Sequence, residues 1–410
     1  MLNEQQTWAC ADWVMTQVRQ VIENFGPRAP GSEEERRAQE YIRKEMKAFC
    51  DGDVILEPFP LAAKAFFALA AVTAFFFTLS ALCWHMHPFC SVVLDGVALA
   101  VLYFQLFRYR LFLDPFFPKK ESCNVYGRIR PSGEIRRRVI LAGHVDSACE
   151  WRFLYWMPRF FRPLMIALFS GLAVLTLLHA GGSVAWILGG EAWTVASRIV
   201  LLQWVLSPLL LVGLFFSDLK QPVPGANDNL TGVFSCLAIG RALKQGGLSL
   251  KHTELVLVSM GSEEAGLRGA KVFARKHKED FSDVQTLFIG LETLRDPEYL
   301  TIYDRDMNGM VRHDEQVCSL LKEAGKICGL DLPFGSLFLG SSDAAVFTQA
   351  GWQAGLLAAM DPAPPAYYHT RLDNWDNMSR DCLKTAIQVT CAALKLFDEE
   401  AAEPMEFSDN

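Results

Sequence analysis

Two periods of apolar residues alternate along this chain, and four long stretches obey neither. Residues 5–25 and 33–49 repeat apolar positions every three to four residues, the spacing of a helix with one buried face. The second opens with Ser32 and carries Glu35 three residues on, the pattern of a capping box. Short apolar runs at 54–59, 124–129, 139–142, 254–260 and 286–290 read as strands. Helical spacing returns at 230–245, 266–278, 312–328, 343–350 and 377–398. This alternation predicts an α/β fold, a mostly parallel central sheet with helices on both faces.

The four other stretches are 65–84, 88–107, 163–190 and 199–217. They carry no charge except Asp95, read as a helix-end residue near the tip with an intramembrane functional group as the alternative, and the third is broken by Gly181-Gly182. Each is about as long as a bilayer-spanning helix, roughly 20 residues. Core helices or a lid used in dimerisation are the alternative, but four such lengths are hard to bury in one globular core. They pair into two transmembrane hairpins, 61–117 and 163–217, leaving 1–60, 118–162 and 218–410 as one α/β domain. Lys64, Arg108, Arg110, Lys119 and Lys120 bracket the first hairpin, and Arg152, Arg159, Arg162 and Lys220 the second. The first tip, HMHPFCSVVLD, has no Lys or Arg, and the second only Arg198. Positive charge stays inside, so the expectation is a multi-pass protein of the cell membrane with its α/β domain on the cytoplasmic side.

Composition changes this picture little. Hydrophobic residues make up 51 % and mean hydropathy is +0.16, the excess lying in the four runs. Net charge is −7 and the basic residues form no long block, which argues against a nucleic-acid partner. The 11 cysteines include no CxxC pair, pointing to a reducing compartment rather than a disulfide framework. The N-terminus lacks a basic segment followed by an apolar core, so no cleaved signal peptide is expected.

Candidate chemistry collects where strands give way to loops, which is where open α/β sheets bind ligands. AGHVDS at 142–147 offers His144 and Asp146, two apart and so on one face of an extended segment. PGANDNLTGV at 224–233 offers Asp228, GSEE at 261–264 a pair of adjacent carboxylates, GLET at 290–293 Glu292, and YYHTRLDN at 367–374 His369. Taken singly, each acid could be a helix cap and each histidine a hydrogen-bonded core residue. Together they make a set of nitrogen and oxygen ligands without thiolates, which suits Zn²⁺.

These motifs, with GPRAPGSEEERRAQEYI near the N-terminus and NVYGRIRPSGEI at 124–135, resemble the di-zinc exopeptidase family. That family includes bacterial leucyl aminopeptidases, aminopeptidase Y, glutamate carboxypeptidases and glutaminyl cyclases. The resemblance covers nearly all of the chain outside the hairpins and implies two Zn²⁺ ions. His144 and Glu292 would complete one zinc site and Glu264 and His369 the other, with Asp228 bridging. Asp146 would steady the imidazole of His144, and Glu263 would be the general base that takes a proton from water between the ions. Neighbours in an extended stretch point in opposite directions, so Glu263 and Glu264 can divide proton transfer and ligation between them.

Two departures stand out. Many relatives have Asp where Glu292 stands, and Ala344 follows Ser-Asp in SSDAAVF where a histidine is common. The expected activity is removal of residues from a peptide terminus, most simply as an aminopeptidase. Carboxypeptidase or glutaminyl-cyclase chemistry (the cyclases use one zinc) is the alternative, as is a non-catalytic receptor or scaffold like the transferrin receptor. Asp228 follows Ser217 by eleven positions, which keeps it within ~40 Å of the end of the last hairpin. The reading therefore includes an active site near the inner membrane surface, peptide substrate and bilayer as partners, and an open oligomeric state.

Overall fold

A computed structural model describes residues 2–246 and 248–401. The chain divides into two compact units, one comprising 1–63, 119–148 and 222–410, the other 64–118 and 149–221.

The first unit is built on a sheet of nine strands among the described residues: β1 (Asp51–Leu61), β2 (Lys120–Ile129), β3 (Arg137–His144), β4 (Thr253–Met260), β5 (Gln285–Leu294), β6 (Leu300–Asp306), β7 (Val311–Arg312), β8 (Phe334–Ser336) and β9 (Gln353–Ala359). Their order is β1-β2-β4-β3-β5-β9-β6-β8, with β7 on β6. The sheet is mixed rather than mostly parallel. Its centre is parallel, β4 to β3 to β5 to β9, while β1, β2 and β4 pair antiparallel and β6 runs antiparallel to β9. The central strands are covered on both faces, hence their near-continuous apolar runs.

Side chains alternate across this sheet. Leu141, Leu257, Ile289 and Leu357 join a core with the helices Glu4–Phe25, Thr231–Lys244, Glu315–Ile327 and Arg380–Glu400. Their neighbours point the other way: Phe288 stacks on Phe347 of the Asp343–Gln349 helix at 3.7 Å between ring centroids. With helices on both faces, every central strand ends in a loop at the β3–β5 carboxyl edge, and that edge carries the site.

The second unit is helical. Three helices are long and apolar enough to cross a membrane, Pro88–Phe107, Pro158–Leu188 and Gly190–Leu214, and Leu69–Cys83 is a shorter apolar helix. Phe77, Ala98, Leu172, Leu175 and Leu210 form its core, drawn from all four. Two expectations change here. The Pro158–Leu188 helix runs through Gly181-Gly182 without a break. A Cβ on Gly182 would lie 2.3 Å from the Trp84 ring, so glycine serves close packing, and the turn instead falls at Gly189–Gly190, both with positive φ. Asp95 does not mark a helix end. It lies inside the Pro88–Val101 helix, buried.

Candidate metal centre

β3 delivers His144 as its last residue, and the register sets it beside Met260, the last residue of β4. The Thr231–Lys244 helix begins almost against this strand end. A Cβ on Gly143 would meet the Val233 nitrogen at 2.6 Å, so glycine admits the helix and with it the loop that carries Asp228. Asn229 ties that loop to β5, donating from Nδ2 to the Leu291 carbonyl (2.9 Å) and accepting from the Thr293 N–H (3.3 Å). β3, β5 and the Asp228 loop thereby present side chains into one space.

The resulting geometry has two lobes. His144 Nε2 lies 3.2 Å from Asp228 Oδ1 and 3.4 Å from Glu292 Oε1. His369 Nε2 lies 3.0 Å from Asp228 Oδ2 and 3.2 Å from Glu264 Oε1. Each oxygen of Asp228 thus faces a different histidine, and each histidine has a second carboxylate. Glu263 Oε2 is 3.9 Å from His144 Nε2. Ligand atoms of His144, Asp228 and Glu264 fall within 4.8 Å of one another, close enough for one cation. All seven residues singled out in the sequence meet in this one place.

Residues 214–394, which contain Asp228, Glu263, Glu264, Glu292 and His369, match the sequence pattern of Peptidase family M28. That segment is a Peptidase family M28 domain. Solved structures agree in fold at low identity. The aminopeptidase from Aneurinibacillus sp. strain AM-1 superposes with a TM-score of 0.56 at 16 % identity, covering 95 % of this chain and 95 % of that one. The zinc aminopeptidase from Bacillus subtilis gives 0.56 at 15 %, covering 94 % and 95 %. An Acidobacteriales bacterium glutaminyl cyclase gives 0.55 at 15 %, covering 98 % and 96 %.

The donor set of this M28 peptidase fits zinc, and its buried atoms say so independently. Asp228 Oδ2 and Glu264 Oε1 are buried without an aligned hydrogen bond, although each lies within 3.2 Å of His369 Nε2. Polar atoms this close and this buried need a shared partner, and a cation supplies one. Electrostatics point the same way. Burial pushes the Glu263 carboxyl well up, with Glu264, Asp343 and Glu292 adding repulsion that His144 only partly offsets. Burial likewise lifts Glu292 to about 7. Burial alone would lower His369, but Glu264 and Asp228 raise it to about 10. For Asp228, burial is outweighed by both histidines, which hold its carboxyl below the usual range. Such a crowd of acids relaxes when positive charge enters.

Residues outside the predicted set hold the candidate ligands in place. Asp373, in the quoted RLDN, accepts from the Asn227 N–H (2.9 Å), the Asp228 N–H (3.0 Å) and Asn227 Nδ2 (2.8 Å). Asp146 does more than steady an imidazole. Its Oδ1 is 3.5 Å from His144 Nδ1, and its two oxygens accept the N–H groups of Glu263 (2.9 Å) and Glu264 (3.0 Å). Arg28 is fully buried and donates to the carbonyls of Gly26, Val145, Pro224 and Gly225. Glu35 corrects the capping-box expectation. Ser32 does accept the Glu35 N–H, but the Glu35 carboxylate turns to Gly31 N–H and to the N–H and hydroxyl of Ser262, next to Glu263. Asp343 is the remaining surprise: both its oxygens are buried without a partner, and burial lifts its carboxyl to about 8. A buried, unexposed acid of this kind has no signature in a linear motif.

Proposed function

We propose that this M28 peptidase is a membrane-embedded aminopeptidase that works with two zinc ions. The observation that carries the reading is the division of Asp228, one oxygen at each histidine and a further carboxylate beside each. His144 and Glu292 would hold one ion and His369 and Glu264 the other, with Asp228 shared. Bound zinc supplies Lewis-acid polarisation of a carbonyl and makes water acidic enough to ionise near neutral pH.

The protein's own groups do the rest. Glu263 has no such pairing and remains available as the general base, accepting a proton from the attacking water and delivering it to the departing amine. Asp146 holds the backbone of Glu263 and Glu264 and orients the His144 ring, so base and ligands share one anchor. The carboxylate-rich site would attract the ammonium group of a substrate's free N-terminus. That attraction favours an aminopeptidase over a carboxypeptidase, which would present a carboxylate to the same site.

The helical unit would lie in the lipid bilayer. In support, Ile166, Leu177, Val184, Ile187 and Val205 are large, apolar and exposed, more apolar surface than water tolerates on a free-standing unit. The basic flanks favour a catalytic domain on the cytoplasmic side.

The test is metal content of the purified full-length protein, together with hydrolysis of aminoacyl and N-blocked peptides by the wild type and by Glu263→Ala. Two zinc ions per chain, cleavage of free-amine substrates alone, and a loss of at least ~10² in kcat for the metal-loaded variant are expected. Turnover near wild type in Glu263→Ala removes it as the base. A glutaminyl-cyclase activity is the second reading, favoured by the equal likeness in fold to cyclases. It requires one zinc and release of ammonia from an N-terminal glutamine, and the same preparation distinguishes the two.

A further inference from the structure

Outside the metal centre, the chain that follows Glu292 meets the chain that leads to His369. β5 ends at Leu294, and the next two residues, Arg295 and Asp296, both donate their N–H groups to the Ala359 carbonyl at the end of β9 (3.2 and 2.8 Å). From there the chain runs through 360–368 to His369, and the buried Asp296 side chain spans that connection. Its Oδ2 accepts from the Asp361 N–H (3.2 Å) at one end and from the buried Tyr367 hydroxyl (2.8 Å) at the other. Its Oδ1 accepts from Arg295 Nη1 (2.7 Å). Arg295 also reaches beyond His369, donating from Nε to the Asn377 carbonyl (3.3 Å) and from Nη2 to the Asn377 side-chain oxygen (3.0 Å). Asn377 in turn donates to the Leu372 carbonyl (3.2 Å), and its own carbonyl accepts from Asn227, the neighbour of Asp228 (3.2 Å).

The segment needs such support. Residues 361–366 read DPAPPA, three prolines in six residues, and belong to no strand or helix. Proline brings no N–H, so this backbone has few hydrogen bonds of its own to fix it. His369 follows with φ at 48°, a conformation that a non-glycine residue keeps only where its surroundings hold it. The hold passes along the chain by contact. Tyr367 is anchored through its hydroxyl, and the ring of the next residue, Tyr368, stacks on the His369 imidazole with centroids 4.0 Å apart. Asp373 bonds the chain after His369 to the Asp228 loop, whereas Asp296 bonds the chain before it to the end of the Glu292 strand.

We propose that Asp296 and Tyr367 form a clamp that positions His369 relative to Glu292 and so sets the separation of the two lobes of the metal centre. Arg295 and Asn377 close the same clamp on the far side of His369. These groups act through His369, which makes them positioning residues. The inference rests on the two-ion reading above and adds the groups that keep one lobe in register with the other. Loss of the Tyr367 hydroxyl should therefore weaken the ion at His369 and Glu264. It should spare the ion at His144 and Glu292, whose ligands belong to β3 and β5 themselves.

The experiment is zinc binding by the purified full-length protein, read by chelator competition, for wild type, Tyr367→Phe, His369→Ala and the double variant. Tyr367→Phe keeps the ring and removes one hydroxyl. It is expected to weaken one of two ions by about 10-fold or more while the other stays within about threefold of wild type. In the His369→Ala background, where that lobe has lost its histidine, the same substitution is expected to change the remaining affinity by less than about threefold. Asn377→Ala opens the clamp from its other side, is expected to give the same selective loss, and decides the matter should Tyr367→Phe not fold. Equal weakening of both ions, or a Tyr367→Phe effect that persists in full without His369, means general loosening and overturns the clamp. A wild type that binds fewer than two ions overturns the two-ion reading and this inference together. Two ions in the wild type with an indifferent Tyr367→Phe overturn the inference alone.

Discussion

Asp146→Asn tests how the metal centre is assembled, because the substitution keeps the shape of the side chain and removes one accepting atom. The carboxylate faces the N–H groups of Glu263 and Glu264 with separate oxygens, at 2.9 and 3.0 Å, and lies 3.5 Å from His144 Nδ1. An amide can satisfy only one of the two N–H groups. The other meets an NH₂ in a fully buried position, losing a hydrogen bond to a charged group worth about 1.5–3 kcal/mol. At about 1.4 kcal/mol per factor of ten, that is roughly 10- to 150-fold in kcat/KM if the loss falls on the segment that carries the base and a zinc ligand. Zinc affinity should fall alongside by about 10- to 100-fold, since the His144 ring loses its orienting partner. The assay is kcat/KM of the zinc-saturated variant on a free-amine dipeptide, with chelator competition for affinity and a melting curve to establish folding. A folded variant whose kcat/KM and zinc affinity both stay within about threefold of wild type would refute the argument that Asp146 holds the Glu263–Glu264 segment.

Other perturbations follow from the same geometry. His369, raised to about 10 in the metal-free protein, carries a proton at neutral pH that zinc must displace, so zinc affinity should rise with pH and binding should release protons. Glu292, at about 7, steepens that dependence below neutrality; calorimetry in two buffers of different ionisation enthalpy reads the release, and a flat affinity between about pH 6 and 8 would contradict it. Arg28→Met strips the donors from four loop carbonyls and should destabilise the fold by roughly 3 kcal/mol or more, a Tm drop of about 5–10 °C by calorimetry. A change under about 2 °C would mean the loops hold without it.

How far the structure was legible depended on where each residue's partners lie. The central strands and the amphipathic helices stand out because burial on one or both faces is written into a few consecutive residues, and His144 because it ends such a strand. β9, QAGLLAA, escaped notice since small residues have little strand preference and its identity comes from pairing with β5 and β6. The same blindness to distant partners explains Glu35. A serine and a glutamate three apart resemble a reciprocal cap, yet the carboxylate finds Ser262, 227 residues away in the chain. Asp95 was misplaced at a helix end because the polar group that accommodates it, His179, belongs to the other hairpin.

Three segments of the centre contain a non-glycine residue at positive φ: Ser262 at 54°, beside Glu263, Thr293 at 41°, beside Glu292, and His369 itself at 48°. Each costs on the order of 1–3 kcal/mol, most acutely at the β-branched Thr293. Local sequence offers nothing to offset this, so the hydrogen bonds from elsewhere must. Glu35 supplies them at Ser262, Asn229 at Thr293, and Asp373 holds the loop opposite His369. The acids behind the ligands therefore have a task different from the acids that face the space. They fix the backbone in conformations that it would otherwise leave, and those conformations aim the five candidate ligand side chains and Glu263 at the same few ångströms. A site built this way is ready before the metal arrives, and its mutual repulsion is what the metal relieves.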